Sequence, residues 1–225
     1  MANSLTNNVL PLNRPRITGI VSETGTISSV APSDPECVAG SNMPSSEKRS
    51  HRGREMTIRP SLIQAERVDW ASLRCGCGET GAHIPETFTN LLDASTPEEM
   101  AKASLEGHVH IQSLLFEVAV PVTSMIMAAL VEETSEAIHV RLLDELISCI
   151  GGESHWTEIE AGAPELEIDC QIAAREGIWA LYQEYATGRA SMARMILDEV
   201  DADRDRFEYF DAKLIDRVRK RAKRP

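Results

Sequence analysis

The chain has 225 residues and a mass of 24.8 kDa, and its 23 Lys and Arg stand against 35 Asp and Glu for a net charge of −12. That length holds one or two domains with a sizeable core. The 42% apolar content and only five cysteines exclude a collagen-like chain and a disulfide-dense mini-protein, and the acidic balance excludes a basic nucleic-acid binder of the usual kind.

Charge and composition are unevenly placed. Residues 1–60 carry seven basic and five acidic residues and no aromatic, and they are rich in Ser, Pro, Asn, Thr and Gly. Such a stretch cannot bury enough apolar surface to offset its ordering entropy, so disorder is expected over 1–60. Met56 opens MTIRPSLIQAERVDW, which reads as an alternative natural start. Residues 61–216 carry 10 basic and 30 acidic residues, a body that repels phosphate backbones and favours a basic partner surface. Residues 217–225, RVRKRAKRP, then add six basic residues. The N-terminus lacks the basic region and apolar run of a signal peptide. No stretch reaches the about 18 apolar residues of a membrane span, and the longest, 118–131, is interrupted by Pro121 and Ser124. A soluble, cytoplasmic protein without a membrane partner is the expectation.

From about residue 62 the apolar periodicity is helical almost throughout. VDWASL (68–73) reads as a short helix ended by the Gly-rich CGCGETG. Pro85 suits the first turn of the next helix, with Phe88, Leu91 and Leu92 on one face. Thr96-Pro97-Glu98-Glu99 is a capping-box start, and the pattern predicts a helix from there to about Gln112, weakened at Gly107. Residues 114–133 read as a buried helix or helix pair bent at Pro121. Thr134 or Ser135 then caps a helix that ends at Gly151-Gly152. GGESHWTEIEAGAP reads as a loop of about fourteen residues. A long helix follows Pro164 and stops at Gly188, then a shorter one over ASMARMILDEV. The last helix has Phe207, Phe210, Leu214 and Val218 on one stripe. No alternating strand is evident. The result is an all-α chain of seven to eight helices, whose broad stripes suit stacked helix pairs.

Cysteine and histidine spacing carries little chemistry. The odd cysteine count argues against a disulfide framework, and Cys149 and Cys170 fall in apolar helical patterns as small core residues. Cys75 and Cys77 are two apart with His83 nearby, but structural zinc sites use C-x₂₋₄-C and a second ligand pair, and none is visible. His108 and His110, also two apart, do not share a helical face, so one buried and one surface histidine is expected. On spacing alone, no metal, cofactor or catalytic residue is assigned. No HExxH, nucleophile elbow, Walker loop or GxGxxG sequence occurs.

Trp70-x-x-Leu73, Gly81-Ala82-x-Ile84-Pro85 and Leu91-Leu92 resemble the opening of bacterial, actinobacterial-type HEAT-like repeat proteins. His110-Ile111-Gln112-Ser113 and Val118-Ala119-Val120-Pro121 resemble a diverged form of that family's middle segment, with the intervening Ile and a Ser in place of Gly as departures. Ala173 to Gly177 is similar to the helix that opens a further repeat. The likeness spans about 66–200. It implies a HEAT-like α-solenoid over 61–225 that binds other macromolecules, and no catalytic residue to carry over.

Of the three tryptophans, Trp70 and Trp179 are expected in the core. Trp156 sits in the predicted loop, as a core plug or an offered anchor. With His155, Glu153, Glu158 and Glu160 it forms the candidate partner-binding set. The expected function is a non-enzymatic scaffold that binds a basic protein, in one version an immunity-type or regulatory protein masking a basic toxin or nuclease. The alternatives are weak nucleic-acid binding through the C-terminal tail and a helical-repeat enzyme of the DNA base-excision type, which the acidic body disfavours.

Overall fold

A computed structural model describes residues 58–222. The disorder expected over most of 1–60 and the start at Met56 lie outside the described residues. The short helix α1 (Pro60–Glu66) opens on a proline, which forfeits no helical hydrogen bond there. Trp70–Ser72 forms only a single 3₁₀ turn, as does Gly81–His83. Helix α2 (Ile84–Asp93) buries Ile84, Phe88, Leu91 and Leu92 as its stripe predicts.

Helix α3 (Pro97–Lys102) carries the predicted capping box: Thr96 Oγ1 accepts the Glu99 N–H at 3.2 Å, and the Glu99 carboxylate accepts the Thr96 N–H at 3.2 Å. The helix then stops ten residues before the predicted end. Gly107 takes φ +86, and the chain turns back so that the His108 and Val109 N–H groups both donate to the Leu105 carbonyl. Strands β1 (His110–Ile111) and β2 (Leu114–Leu115) pair antiparallel across Gln112 and Ser113, both at positive φ as a tight hairpin turn requires. This small sheet corrects the strand-free expectation; its strands are too short for alternation to register.

Helix α4 (Ala119–Ala129) begins just before Pro121, which therefore sits in the first turn and causes no bend. Helix α5 (Glu136–Gly151) starts on Ser135, whose Oγ accepts the Ile138 N–H at 3.3 Å. The predicted loop 151–164 holds two further elements. Strand β3 (Glu153–Ser154) runs parallel to β2, and helix α6 (Trp156–Glu160) follows it. The long helix expected after Pro164 breaks at Glu176–Gly177 into α7 (Leu166–Arg175) and α8 (Ile178–Thr187). Helices α9 (Ala190–Val200) and α10 (Arg204–Ala222) complete ten α-helices among the described residues.

Helix α4 is the central rod. Its Ala119, Val122, Met125, Ile126 and Ala129 are fully buried against α1, α5 and α7. Helix α5 adds Leu142, Leu143, Leu146 and Cys149, and α9 closes over it while pairing with α8. Cys149 and Cys170 are buried and not disulfide-bonded, as expected of core residues. Trp70 is buried and donates its indole N–H to the Ala65 carbonyl at 2.8 Å. Trp179 corrects its expectation: it is 60% exposed, its ring lying against Tyr182 and Phe210. Two polar ties hold the C-terminal helices. Tyr182 donates to Asp201, which also pairs with Arg206, while Tyr185 and Arg194 share Asp211. No helix of the described residues is long and apolar enough to cross a membrane.

Candidate partner-binding surface and the cluster beneath it

Helix α6 has five residues, too few to stand alone in water. It is held by its neighbours. The His155 N–H donates to the Leu115 carbonyl at 2.9 Å, which extends the β2–β3 ladder to the helix start. The His155 ring stacks on Phe116 with centroids 4.7 Å apart, and its Nδ1 caps the helix by accepting the Thr157 N–H at 3.3 Å. Glu158 points inward with only 1% of its side chain exposed, and the Arg74 guanidinium reaches it through three contacts of 2.8–3.1 Å. Arg74 also lies 3.3 Å from the Glu117 carboxylate.

The candidate binding residues therefore separate into two groups. Glu158 is buried and His155 half-buried, so both support the helix from beneath. Trp156 is 61% exposed, and Ile159, one turn on, is 52% exposed. Glu153 and Glu160 are exposed beside them, as is Glu165 at the start of α7, and none makes an ion pair among the described residues. Trp156 is thus offered to solvent and does not plug the core. Ile159 was not singled out by the sequence reading; its i+3 relation to Trp156 is the signal that finds it once a helix is known there.

Arg74 leads directly into the segment under α6. The Cys75 carbonyl accepts the Gly78 N–H at 3.0 Å, closing a turn that contains both thiols, and Gly78 sits at φ +85. The Gly76 N–H donates to the His108 carbonyl at 2.8 Å. A side chain at Gly76 is excluded, because a Cβ there would stand 2.8 Å from the Phe116 ring and 2.9 Å from the Gly107 carbonyl. Glycine lets the thiol turn slide under Phe116 and against the turn at 105–109.

This close approach gathers four side chains from three segments. Cys75 Sγ lies 3.6 Å from His83 Nε2, 3.6 Å from His108 Nδ1 and 3.4 Å from Cys77 Sγ. Cys77 Sγ is 4.0 Å from His83 Nε2, the two imidazole nitrogens are 2.9 Å apart, and all four atoms lie within 4.8 Å of one another. Cys75 is buried, His83 and His108 are half-buried, and Cys77 is exposed. Burial pushes the Cys75 thiol up to about 11, against the backbone N–H groups of Cys77 and Gly76, which favour the thiolate. Burial first, and then the adjacent His83, hold the His108 imidazole below its ordinary range, with Glu79 working the other way.

The sequence reading placed His83 near the thiols and found no second ligand pair. The structure supplies His108 from 25 residues beyond His83. His108 stands in the turn that closes on the Leu105 carbonyl, whereas His110 opens β1, so the two histidines lie in different surroundings. His110 is buried and its Nε2 lies 3.1 Å from the Glu145 carboxylate on α5, which Arg141 also contacts at 2.5 Å.

No protein-family model, no curated protein and no solved structure matches this chain.

Proposed function

We propose that this protein is a non-enzymatic helical scaffold, built as a HEAT-like solenoid, that binds a protein partner with a basic surface through the face of α6. The observation that carries this reading is a tryptophan left 61% exposed on a short helix that the rest of the fold holds in place. Large exposed aromatics on fixed elements are the usual anchors of protein interfaces. Ile159 widens the apolar spot, and the exposed carboxylates of Glu153, Glu160 and Glu165, on and next to the same short segment, add negative charge to it. Such charge steers a cationic surface inward and rejects acidic ones. An immunity-type or regulatory role, in which the acidic body masks a basic toxin or nuclease, is the concrete form of this function.

A photo-crosslinking amino acid at position 156 tests it in the native cytosol, with the same group at Met195, exposed on α9, as the control. The expected product is a specific adduct with a basic protein, found at position 156 only. Purified, that protein binds at least 10-fold more weakly to W156A, and its affinity falls with added salt. Equal labelling from position 195, or a partner whose binding W156A leaves unchanged, contradicts the assignment.

A further inference from the structure

The cluster under α6 has a chemical meaning of its own. We propose that Cys75, Cys77, His83 and His108 bind one Zn²⁺ as a structural tetrahedral site. Two thiolates and two imidazoles are a soft-to-borderline donor set that suits zinc and leaves calcium and magnesium without their oxygen ligands. Four protein ligands fill a tetrahedron and leave no open position for a substrate, so the role is structural.

The geometry fits before any ion is added. Zinc ligands at Zn–S of about 2.3 Å and Zn–N of about 2.0–2.1 Å stand about 3.3–3.8 Å from one another in a tetrahedron. The thiol pair is at 3.4 Å, three thiol–imidazole separations are 3.6, 3.6 and 4.0 Å, and the imidazole pair is at 2.9 Å. The sixth edge, Cys77 to His108, is within 4.8 Å. Changes of about 0.5 Å or less regularise five of the edges, and closing the sixth takes about 1.3 Å. Exposed Cys77 lies on the open side, where small movements meet no packed neighbour.

The site also answers a need of the fold. Residues 75–81 carry three glycines and no apolar side chain beyond the two cysteines and lie outside any helix until the 3₁₀ turn at Gly81. Gly107 opens the opposite turn at positive φ. A segment so poor in apolar contacts has little to offset its ordering entropy. A metal bonded to Cys75 and His108 closes 33 residues of chain with a single link, the kind of constraint that small, core-poor regions use in place of packing. The ordered turn then supports α6 through Gly76 under Phe116, Phe116 against His155, and Arg74 on Glu158. The proposal rests on the cluster alone and holds whether or not α6 binds a partner.

The test uses the full chain and the metal alone. Purified with zinc in the medium, the protein is expected to carry one zinc per chain by elemental analysis. X-ray absorption at the zinc edge should show two sulfur and two nitrogen neighbours. Cobalt(II) in its place should give the strong visible bands of a tetrahedral thiolate site. C77S, which changes an exposed residue, should weaken zinc binding at least 100-fold while helical circular dichroism is kept, and C149S, in the core, should not. A folded chain with less than about 0.1 zinc that stays helical and metal-free in added zinc overturns the proposal. So does zinc with no sulfur neighbours, or zinc that C77S retains at wild-type affinity. The absorption measurement needs only the wild-type chain, so it decides the matter even if C77S fails to fold.

Discussion

Replacing Arg74 with Ala probes the support of α6 most sharply. The Glu158 side chain is 1% exposed and accepts three contacts of 2.8–3.1 Å from a guanidinium whose own side chain is 43% exposed. Removing one partner of a fully buried pair costs about 3–5 kcal/mol, because the remaining charge is left without compensation. Water reaches the Arg74 side of this pair, so the expected loss for R74A is about 2–3 kcal/mol, a roughly 30- to 150-fold rise in the unfolding constant. E158Q keeps the shape and one acceptor and should cost about 1 kcal/mol. The double variant R74A/E158Q has no buried charge, so it should be more stable than the sum of the singles by about 1–2 kcal/mol. Urea unfolding followed by far-ultraviolet circular dichroism measures all four proteins on one scale. Strict additivity, or an R74A loss under about 0.5 kcal/mol, refutes the reasoning that Arg74 neutralises Glu158.

Other outcomes follow from the same geometry. G76A should lose about 1–3 kcal/mol by overpacking, since the Gly107 carbonyl it meets at 2.9 Å is backbone and cannot rotate away. G151A, where a Cβ meets nothing within 4 Å, should be neutral or slightly stabilising in the same urea assay. Burial works to raise the Asp201 carboxyl, but hydrogen bonds from Arg206 and Tyr182 hold it below its ordinary range. Its stabilisation is therefore complete above the unfolded-state value of about 3.9 and is lost as pH falls through the lower folded value. Acid titration of wild type and D201N should show the smaller acid-induced loss in D201N. Burial and the Asp211 hydrogen bond raise the Tyr185 hydroxyl to about 12. Its stabilisation is present below about pH 10 and fades as pH rises toward that folded value, so Y185F should flatten the alkaline limb of stability against pH.

The helices with caps and long stripes are legible in the sequence. Ser135 and the Gly151-Gly152 stop bound α5, the Thr96–Glu99 box starts α3, and α9 and α10 follow their apolar spacing. The 3.6-residue pattern misleads at 103–112, because Leu105 and Val109 are buried from the two ends of one turn instead of from one helical face. Two-residue strands carry no period, and α6 hides in a loop-like composition because its stability comes from Phe116, Leu115 and Arg74. The cluster is half legible. The pair Cys75 and Cys77 with His83 nearby is a local signal, whereas the arrival of His108 depends on a glycine turn at 107 and the clearance at Gly76, which no spacing rule contains. Trp179 lies off the α8 stripe of Ile178, Leu181, Tyr182 and Tyr185; its expected burial came from residue type alone, and the ring stays on the surface against Tyr182 and Phe210.

The central claim is that the exposed face of α6 and the Cys/His cluster beneath it form one structural unit. Hydrogen exchange at the amides of Glu158, Ile159, Ala161 and Gly162, which bond to carbonyls within 155–159, reads that unit directly. In zinc-loaded protein stripped with a chelator, exchange at these four amides should quicken about 10-fold or more, while amides in α5 and α9 keep their protection. Unchanged exchange in α6, in protein shown to have lost its zinc, contradicts the claim.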